Sequence, residues 1–147
     1  MKHLIAILFL AGNISAANPL STEQVNTLIG ALGRLDSALV NSNPALKERL
    51  GQVLDAVRGE VRSVALIKKF EVKGRESDLL TVAVKHPNDP AGVEAMGMVL
   101  AGDGKKAVIA LLVGKDAQQA AAVAKALGNS NNPSVIPILA PLVVYAT

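Results

Sequence analysis

The stretch PAGVEAMGMVLAGDGKKAVIALLV, residues 90–113, decides the fold. It begins with proline, whose fixed φ angle suits the first turn of a helix. Apolar residues then recur every three or four positions, which is the period of an α-helix. Gly102-Asp103-Gly104 interrupts the pattern, and a second apolar stretch follows from Lys105. The stretch therefore predicts two helices, Pro90 to Ala101 and Lys105 to Val113, joined by a short turn.

The same order of short helix, turn and small-residue helix recurs on both sides of this stretch. Three apolar runs, beginning at Leu79, Val108 and Val135, lie 29 and 27 residues apart. Four positions also match at a shift of 27 residues: Val93, Met96, Gly97 and Leu100 against Ala120, Val123, Ala124 and Leu127. A short period with two helices per unit is typical of a helical solenoid. An unrepeated helical bundle is the alternative, because sequences of this composition match one another by chance.

Upstream of these repeats, residues 18–58 predict an N-terminal helical hairpin. Residues 21–24 have the pattern of a capping box, and one apolar stripe then continues over residues 25–39. Residues 41–44 end this first helix, since Pro44 forces the residue before it into an extended conformation. A second apolar stripe over residues 46–57 predicts the partner helix.

The rest of the chain, residues 59–147, is predicted to consist of the helical repeats. A helix from about residue 60 to residue 72 comes first, with Gly74 as its candidate C-cap. Glu76 to Lys85 and Ala117 to Leu127 are further predicted helices, the latter capped by Asp116. The predicted fold is therefore all-α, with antiparallel helix pairs stacked as a HEAT-like α-solenoid behind the N-terminal hairpin.

Several segments carry a resemblance to the short HEAT-like helical repeats of exported bacterial proteins. They are Leu66-Ile67-Lys68-Lys69-Phe70, Asp78-Leu79-Leu80, Gly92-Val93-Glu94-Ala95 and Ala122 to Gly128. The run from about Val61 to Val143 most resembles the repeat region of large secreted bacterial c-type cytochrome proteins. In that family the repeats accompany a separate haem domain with a Cys-x-x-Cys-His site. This chain contains no cysteine, so the resemblance implies a scaffold without haem or any other cofactor.

The N-terminal segment predicts export. Met1-Lys2-His3 forms a short positive region, and Leu4 to Leu10 is apolar. Ser15-Ala16-Ala17 then supplies the small residues that a signal peptidase accommodates. We therefore expect residues 1–17 to be a signal peptide and the protein to be periplasmic or secreted. The apolar run is shorter than the roughly 20 residues that a membrane-spanning helix needs, so no span is expected after signal removal.

Composition and charge argue against nucleic acid as a partner. The net charge is +3, and without Lys2 the chain has 14 basic and 12 acidic residues. So small an excess does not form the basic footprint of a nucleic-acid-binding protein. Aromatic residues, which serve as stacking platforms for bases, are limited to Phe9, Phe70 and Tyr145.

Residues suited to catalysis are few. His86 is the only histidine outside the predicted leader, whereas common metal sites need several His or Cys ligands. A Ser-His-Asp arrangement would have this one possible base, and no Gly-x-Ser-x-Gly elbow is present. Five carboxylates lie near one another in sequence, which on amphipathic helices is typical of a solvated face; they are Glu71, Glu76, Asp78, Asp89 and Glu94.

The segment Gly102-Asp103-Gly104-Lys105-Lys106-Ala107 fits a Gly-x-Gly-x-x-Ala pattern. A dinucleotide-binding fingerprint needs a strand before such a motif and an acidic residue about 20 residues after it. The preceding residues have a helical period, and residues 117–147 contain no Asp or Glu. An interhelix turn is therefore the better interpretation of these glycines.

The C-terminal segment predicts a binding surface. From Ala117 onward Lys125 is the only charged side chain, and residues 135–146 are almost continuously apolar. Solenoids need a polar outer face on their last unit, and none is visible here. We therefore expect an exposed apolar patch that binds a protein partner or a second copy of the chain. Its predicted residues are Ile136, Leu139, Leu142 and Val143.

Together these patterns predict a non-catalytic, exported helical-repeat scaffold for protein–protein interaction, either alone or as part of a larger secreted assembly. The alternative is a small periplasmic hydrolase that uses an acidic cleft, with His86 or the acids around Asp78 and Asp89 as its only candidate bases.

Overall fold

The computed structural model describes the backbone of residues 19–144 and the side chains of residues 19–142. The predicted signal peptide, residues 1–17, lies outside the described residues. Over the described range the chain forms nine α-helices, one short 3-10 helix and no strand, which confirms the all-α prediction.

The helices follow one another with short connections. They are α1 (Thr22–Gly33), α2 (Ser37–Ser42), α3 (Pro44–Ala56), α4 (Val61–Phe70), α5 (Glu76–Lys85), α6 (Pro90–Ala101), α7 (Lys105–Leu112), α8 (Ala117–Asn129) and α9 (Ile136–Val144), with the 3-10 helix at Pro133–Val135. None of these helices is both long enough and apolar enough to cross a membrane.

Close contacts divide the chain into two compact units. The first contains the described residues up to Arg58 together with Leu66–Val72. The second contains Gly59–Ala65 and the residues from Lys73 onward. Helix α4 therefore contributes its first residues to the second unit and its last residues to the first. The predicted division of the chain at residue 59 stays a prediction.

The first unit contains one more helix than the sequence predicted. The predicted first helix across residues 22–40 is wrong, because the structure ends α1 at Gly33 and begins α2 at Ser37. Asp36 causes the new start: its backbone is extended, and its Oδ1 accepts a hydrogen bond from the amide of Ala38 at 2.8 Å. Leu35 nevertheless stays buried in the turn, which is why the apolar stripe appeared continuous.

The ends of α1, α2 and α4 are joined by two side-chain contacts within the first unit. Lys69 Nζ donates to the carbonyl oxygen of Gly33 at 2.6 Å, and Asn41 Nδ2 donates to that of Phe70 at 3.4 Å. Helices α1 and α2 both pack against α3. The buried side chains of this unit are mostly aliphatic, including Leu28, Leu32, Val40, Leu46, Val53 and Leu54.

Helix α4 ends in a left-handed residue that is not glycine. Glu71 has φ +51°, its amide bonds the carbonyl of Lys68 at 3.2 Å, and the amide of Val72 bonds that of Ile67 at 3.0 Å. These two bonds make a Schellman motif with Glu71 at the C′ position. The prediction of Gly74 as the C-cap is therefore wrong, although Gly74 also has a positive φ, +75°, in the following turn.

We expect the substitution Glu71→Gly to raise the free energy of unfolding by about 1 kcal/mol. A left-handed conformation costs a residue with a Cβ about 1–2 kcal/mol, and glycine avoids that cost. Part of the gain in stability is lost because glycine also increases the conformational entropy of the unfolded chain. Urea unfolding measures the change. Glu71→Ala is the matched control, because it removes the carboxylate but keeps the Cβ; an equal gain in both variants would assign the effect to charge.

The second unit is built around the contact between α5 and α6. Pro90 begins α6 as predicted, and the loop before it turns so tightly that Gly92 lies against the carbonyl of His86. Asn129, the last residue of α8, donates through Nδ2 to the carbonyl oxygen of Pro87 at 3.0 Å and to Oδ1 of Asn88 at 2.8 Å. Helix α8 also packs against α5, α6 and α7. The buried side chains include Leu79, Val82, Met96, Val99, Leu100, Val108, Val123 and Leu127.

The turn between α6 and α7 is made by Gly102-Asp103-Gly104, as predicted. A helix, not a strand, precedes these glycines, because α6 continues to Ala101. A Cβ at Gly104 would lie 2.5 Å from Cγ1 of Val99, so the glycine permits close packing of the turn against α6. Packing thus accounts for this glycine without a bound phosphate.

Candidate functional site

The structure places the predicted C-terminal binding residues on α9. Ile136, at the start of this helix, is 70% exposed, and Leu139 and Leu142 are partly exposed. The side chain of Val143 lies outside the described residues. Ile138 points the other way and is buried. The helix forms despite two prolines: Pro137 lies in its first turn, where no intrahelical amide bond is lost, and Pro141 lies inside it.

Two further large apolar side chains, which were not predicted as binding residues from the sequence, are exposed in the same unit. Ile109 on α7 is 41% exposed, and Val113, the residue after this helix, is 61% exposed. Among the residues of α7, only Val108 is buried within the described part of the chain. A helix with so many apolar residues is usually buried, whereas the structure leaves most of the surface of α7 exposed.

A groove lies between α5, α7 and α8, wholly within the second unit. Its volume is about 540 Å³, and its walls are Leu80 and Val84 from α5, Ala110 and Leu111 from α7, and Val123 from α8. Helices α5 and α7 both pack against α8, but they share no extensive contact with each other. The groove is the space left between them. None of the described residues that line it is aromatic.

Four polar side chains also line the groove. Ser77, Thr81 and Lys85 lie at intervals of four residues along α5, so they share one side of this helix, and Gln119 lies in the first turn of α8. Thr81 Oγ1 donates to the backbone carbonyl of Ser77 at 2.9 Å. Among the described residues of the lining, Lys85 is the only charged one. Within the described part of the chain, no carboxylate lies within ion-pair distance of it.

The acidic residues of the alternative hydrolase hypothesis have different surroundings. Asp78 is buried in the first turn of α5, where its Oδ2 lies 3.3 Å from Nη1 of Arg75. Asp89 is exposed, and its Oδ2 lies 3.1 Å from Nδ1 of His86. Glu71 is the exposed residue that ends α4. No group of three His, Cys, Asp or Glu side chains with the spacing of a metal site occurs among the described residues.

The described residues thus form an apolar groove and exposed apolar positions, whereas their acidic side chains lie in separate surroundings. Comparisons with protein-family models, with curated proteins and with solved structures found no match for this chain. The exposed apolar residues and the groove are therefore the features that bear on function.

Proposed function

We propose that this protein is an exported, non-catalytic scaffold that binds another protein through the apolar surface at its C-terminal end. One observation carries the proposal: Ile136 is 70% exposed on a helix without a charged residue. Large exposed apolar side chains in soluble proteins commonly mark interaction sites when they form contiguous patches. The proposed contact residues are Ile136, Leu139, Leu142 and Val143.

The charge distribution supports a protein partner. Lys125 is the only charged side chain after Asp116. Charged residues are depleted at the centre of protein–protein interfaces, because each would have to lose its hydration on binding. A long stretch of α8 and α9 with a single charge has the composition of such a centre. The partner bound through these residues can also be a second copy of the same chain.

The proposed architecture is a HEAT-like stack of antiparallel helix pairs. The alternation of helices between α5 and α9 supports it, as does the shift of about 27 residues between matching apolar positions. In such a stack each unit offers a face that binds its neighbour, which would account for the apolar character of α9. Export to the periplasm or beyond remains part of the proposal and is supported by the leader-like residues 1–17.

We expect Ile136→Asp to weaken partner binding or self-association by about tenfold or more. Removing a central apolar anchor of an interface typically costs over 1–2 kcal/mol, and the new carboxylate would have to be desolvated. Because Ile136 is already exposed, the fold should be unaffected. Sedimentation of the purified protein over a range of concentrations measures self-association, and affinity capture from periplasmic extract measures partner binding.

Val61→Asp is the matched control for this experiment. Val61 is also a partly exposed aliphatic residue, 38% exposed, but it lies at the start of α4. An acidic residue in the first turn of a helix is well tolerated. A wild-type protein that stays monomeric at high concentration, captures nothing and binds no apolar dye would overturn the proposal.

A further inference from the structure

We propose that the groove between α5, α7 and α8 binds a small amphiphile with an aliphatic chain and a carboxylate head. The chain would lie against Leu80, Val84 and Leu111, and the carboxylate would pair with Lys85. This site goes beyond the protein-binding surface proposed above, since none of the residues Ile136, Leu139 and Leu142 lines the groove.

The size of the groove fits a small molecule. At about 540 Å³ it lies within the range of roughly 300–1,000 Å³ that is usual for ligand pockets. The space exists because α5 and α7 flank α8 without closing on each other, and because α7 presents small residues, Ala107 and Ala110, toward the gap. Larger side chains at these two positions would fill it.

The walls of the groove select for an aliphatic chain. Their apolar part is made of Leu, Val and Ala side chains, and among the described residues the lining contains no aromatic ring on which a flat ligand could stack. Burial of methylene groups is favourable by itself and needs no specific geometry. A flexible hydrocarbon chain therefore matches this surface better than a planar or sugar-like ligand does.

The charge in the groove selects for an anionic head group. Lys85 is exposed and is the only charged residue that lines the groove among the residues that the structure describes. It has no ion-pair partner among the described residues, so a ligand carboxylate would not have to displace one. The hydroxyl of Ser77 and the amide of Gln119 offer neutral hydrogen-bonding groups in the same lining. An ammonium head group would instead meet repulsion from Lys85.

Titration calorimetry of the purified protein with octanoate, decanoate, dodecanoate and tetradecanoate, each below its micelle concentration, tests the proposal. Each buried methylene contributes about 0.8 kcal/mol, so Kd should fall by about fourfold for every methylene until the groove is full and then level off. Dodecanol and dodecylamine should bind more weakly than dodecanoate. Absence of binding by the carboxylates, or equal binding by dodecylamine, would overturn the proposal.

Two pairs of variants locate the ligand. Ala110→Phe fills the groove and should weaken dodecanoate binding by about tenfold or more, whereas Ala121→Phe, at an exposed alanine of α8 outside the lining, should not. Lys85→Ala should weaken dodecanoate binding by about twofold to fivefold and leave dodecanol binding unchanged, and Lys125→Ala should change neither. Ala110 and Ala121 are both exposed in the wild-type protein, so the fold should accept phenylalanine at either position.

The same variants separate this site from the protein-binding surface. Ile136→Asp should leave dodecanoate binding unchanged, and Ala110→Phe should leave sedimentation unchanged. If Ala110→Phe altered the oligomeric state and no carboxylate bound, the occupant would be a second copy of the chain and the ligand proposal would be wrong. Failure of the capture experiment alone would affect only the proposed scaffold function.

Discussion

Replacing Gly92 by alanine is expected to lower the free energy of unfolding by about 3 kcal/mol or more. A Cβ at this position would lie 1.8 Å from the carbonyl oxygen of His86 and 2.7 Å from its carbonyl carbon. Both atoms belong to the backbone, so no side-chain rotation can relieve the overlap. Helix α6 would have to move away from the end of α5, and overpacking of this kind costs at least 1–3 kcal/mol even where side chains can adjust.

The loop after α5 has little freedom to retreat from an added methyl group. The His86 carbonyl already accepts a hydrogen bond from the amide of Asp89 at 3.1 Å, and the His86 amide bonds the carbonyl of Val82 at 2.9 Å. Asn129 holds the next two residues, Pro87 and Asn88, through its side chain. Relief of the overlap would therefore break contacts on both sides of the loop.

Gly97→Ala is the control, since Gly97 lies in the same helix and a Cβ there would meet no atom within 4 Å. Alanine in a helix interior is favoured over glycine by about 0.5–1 kcal/mol, so this variant should be more stable than the wild type. Urea unfolding monitored by circular dichroism gives both values, with the m-value as the check that the transition is comparable. Similar stabilities for the two variants would contradict the close approach of α6 to His86.

The sequence predicted the helices best where local chemistry sets their ends. Ser21 and Gln24 form the capping box that their spacing indicated, with bonds of 3.2 and 2.9 Å. Asp116 accepts the amide of Gln119 at 3.0 Å, and Pro90 begins α6. These signals depend on residues within one helical turn, so no knowledge of the tertiary structure was needed to find them.

Features that depend on distant contacts, or that lack the usual residue type, could not be predicted from the sequence. Glu71 takes the left-handed position that glycine usually occupies, so no glycine marked the end of α4. Leu35 stayed in register with the apolar stripe although the helix had already ended. The groove could not be predicted at all, because the spacing of Ala107 and Ala110 along α7 does not reveal which neighbouring helix lies across from them.

Some of the candidate binding residues could be predicted from the sequence, and others could not. The absence of charge after Lys125 was visible in the sequence and indicated an apolar surface near Ile136. Ile109 and Val113 were overlooked, because apolar spacing on a short helix indicates a buried face unless the number of neighbouring helices is known. An amphipathic pattern thus predicts that a face is covered, whereas the tertiary structure decides how much of it stays open to a partner.

Substitution of Phe70 by alanine is expected to lower the free energy of unfolding by about 3–5 kcal/mol. Phe70 is the largest buried side chain among the described residues and is 2% exposed. Truncation of such a ring removes its transfer free energy from water and leaves a cavity that the surrounding aliphatic side chains fill only in part. The ring also lies 5.5 Å from Nζ of Lys69, a cation–π contact that alanine cannot make.

The position of Phe70 makes the loss larger than that of an ordinary apolar contact. Its carbonyl accepts a hydrogen bond from the side chain of Asn41, and the neighbouring Lys69 donates one to the carbonyl of Gly33. This end of α4 is therefore bonded to the ends of α1 and α2. A cavity under Phe70 would loosen both contacts together. Amide hydrogen exchange should therefore accelerate in α1 and α2 of the Phe70→Ala variant before the protein unfolds globally.

Two controls distinguish the cavity from a general sensitivity of α4. Phe70→Leu keeps most of the buried volume and should cost about 1.5 kcal/mol, and Val61→Ala, at a partly exposed position of the same helix, should change the stability by less than about 0.5 kcal/mol. Chemical denaturation measures all three variants under one set of conditions. Equal stabilities of Phe70→Ala and Phe70→Leu would contradict the prediction, because the outer atoms of the ring would then fill no packed space. The link between α1, α2 and α4 would in that case depend on the Asn41 and Lys69 hydrogen bonds alone.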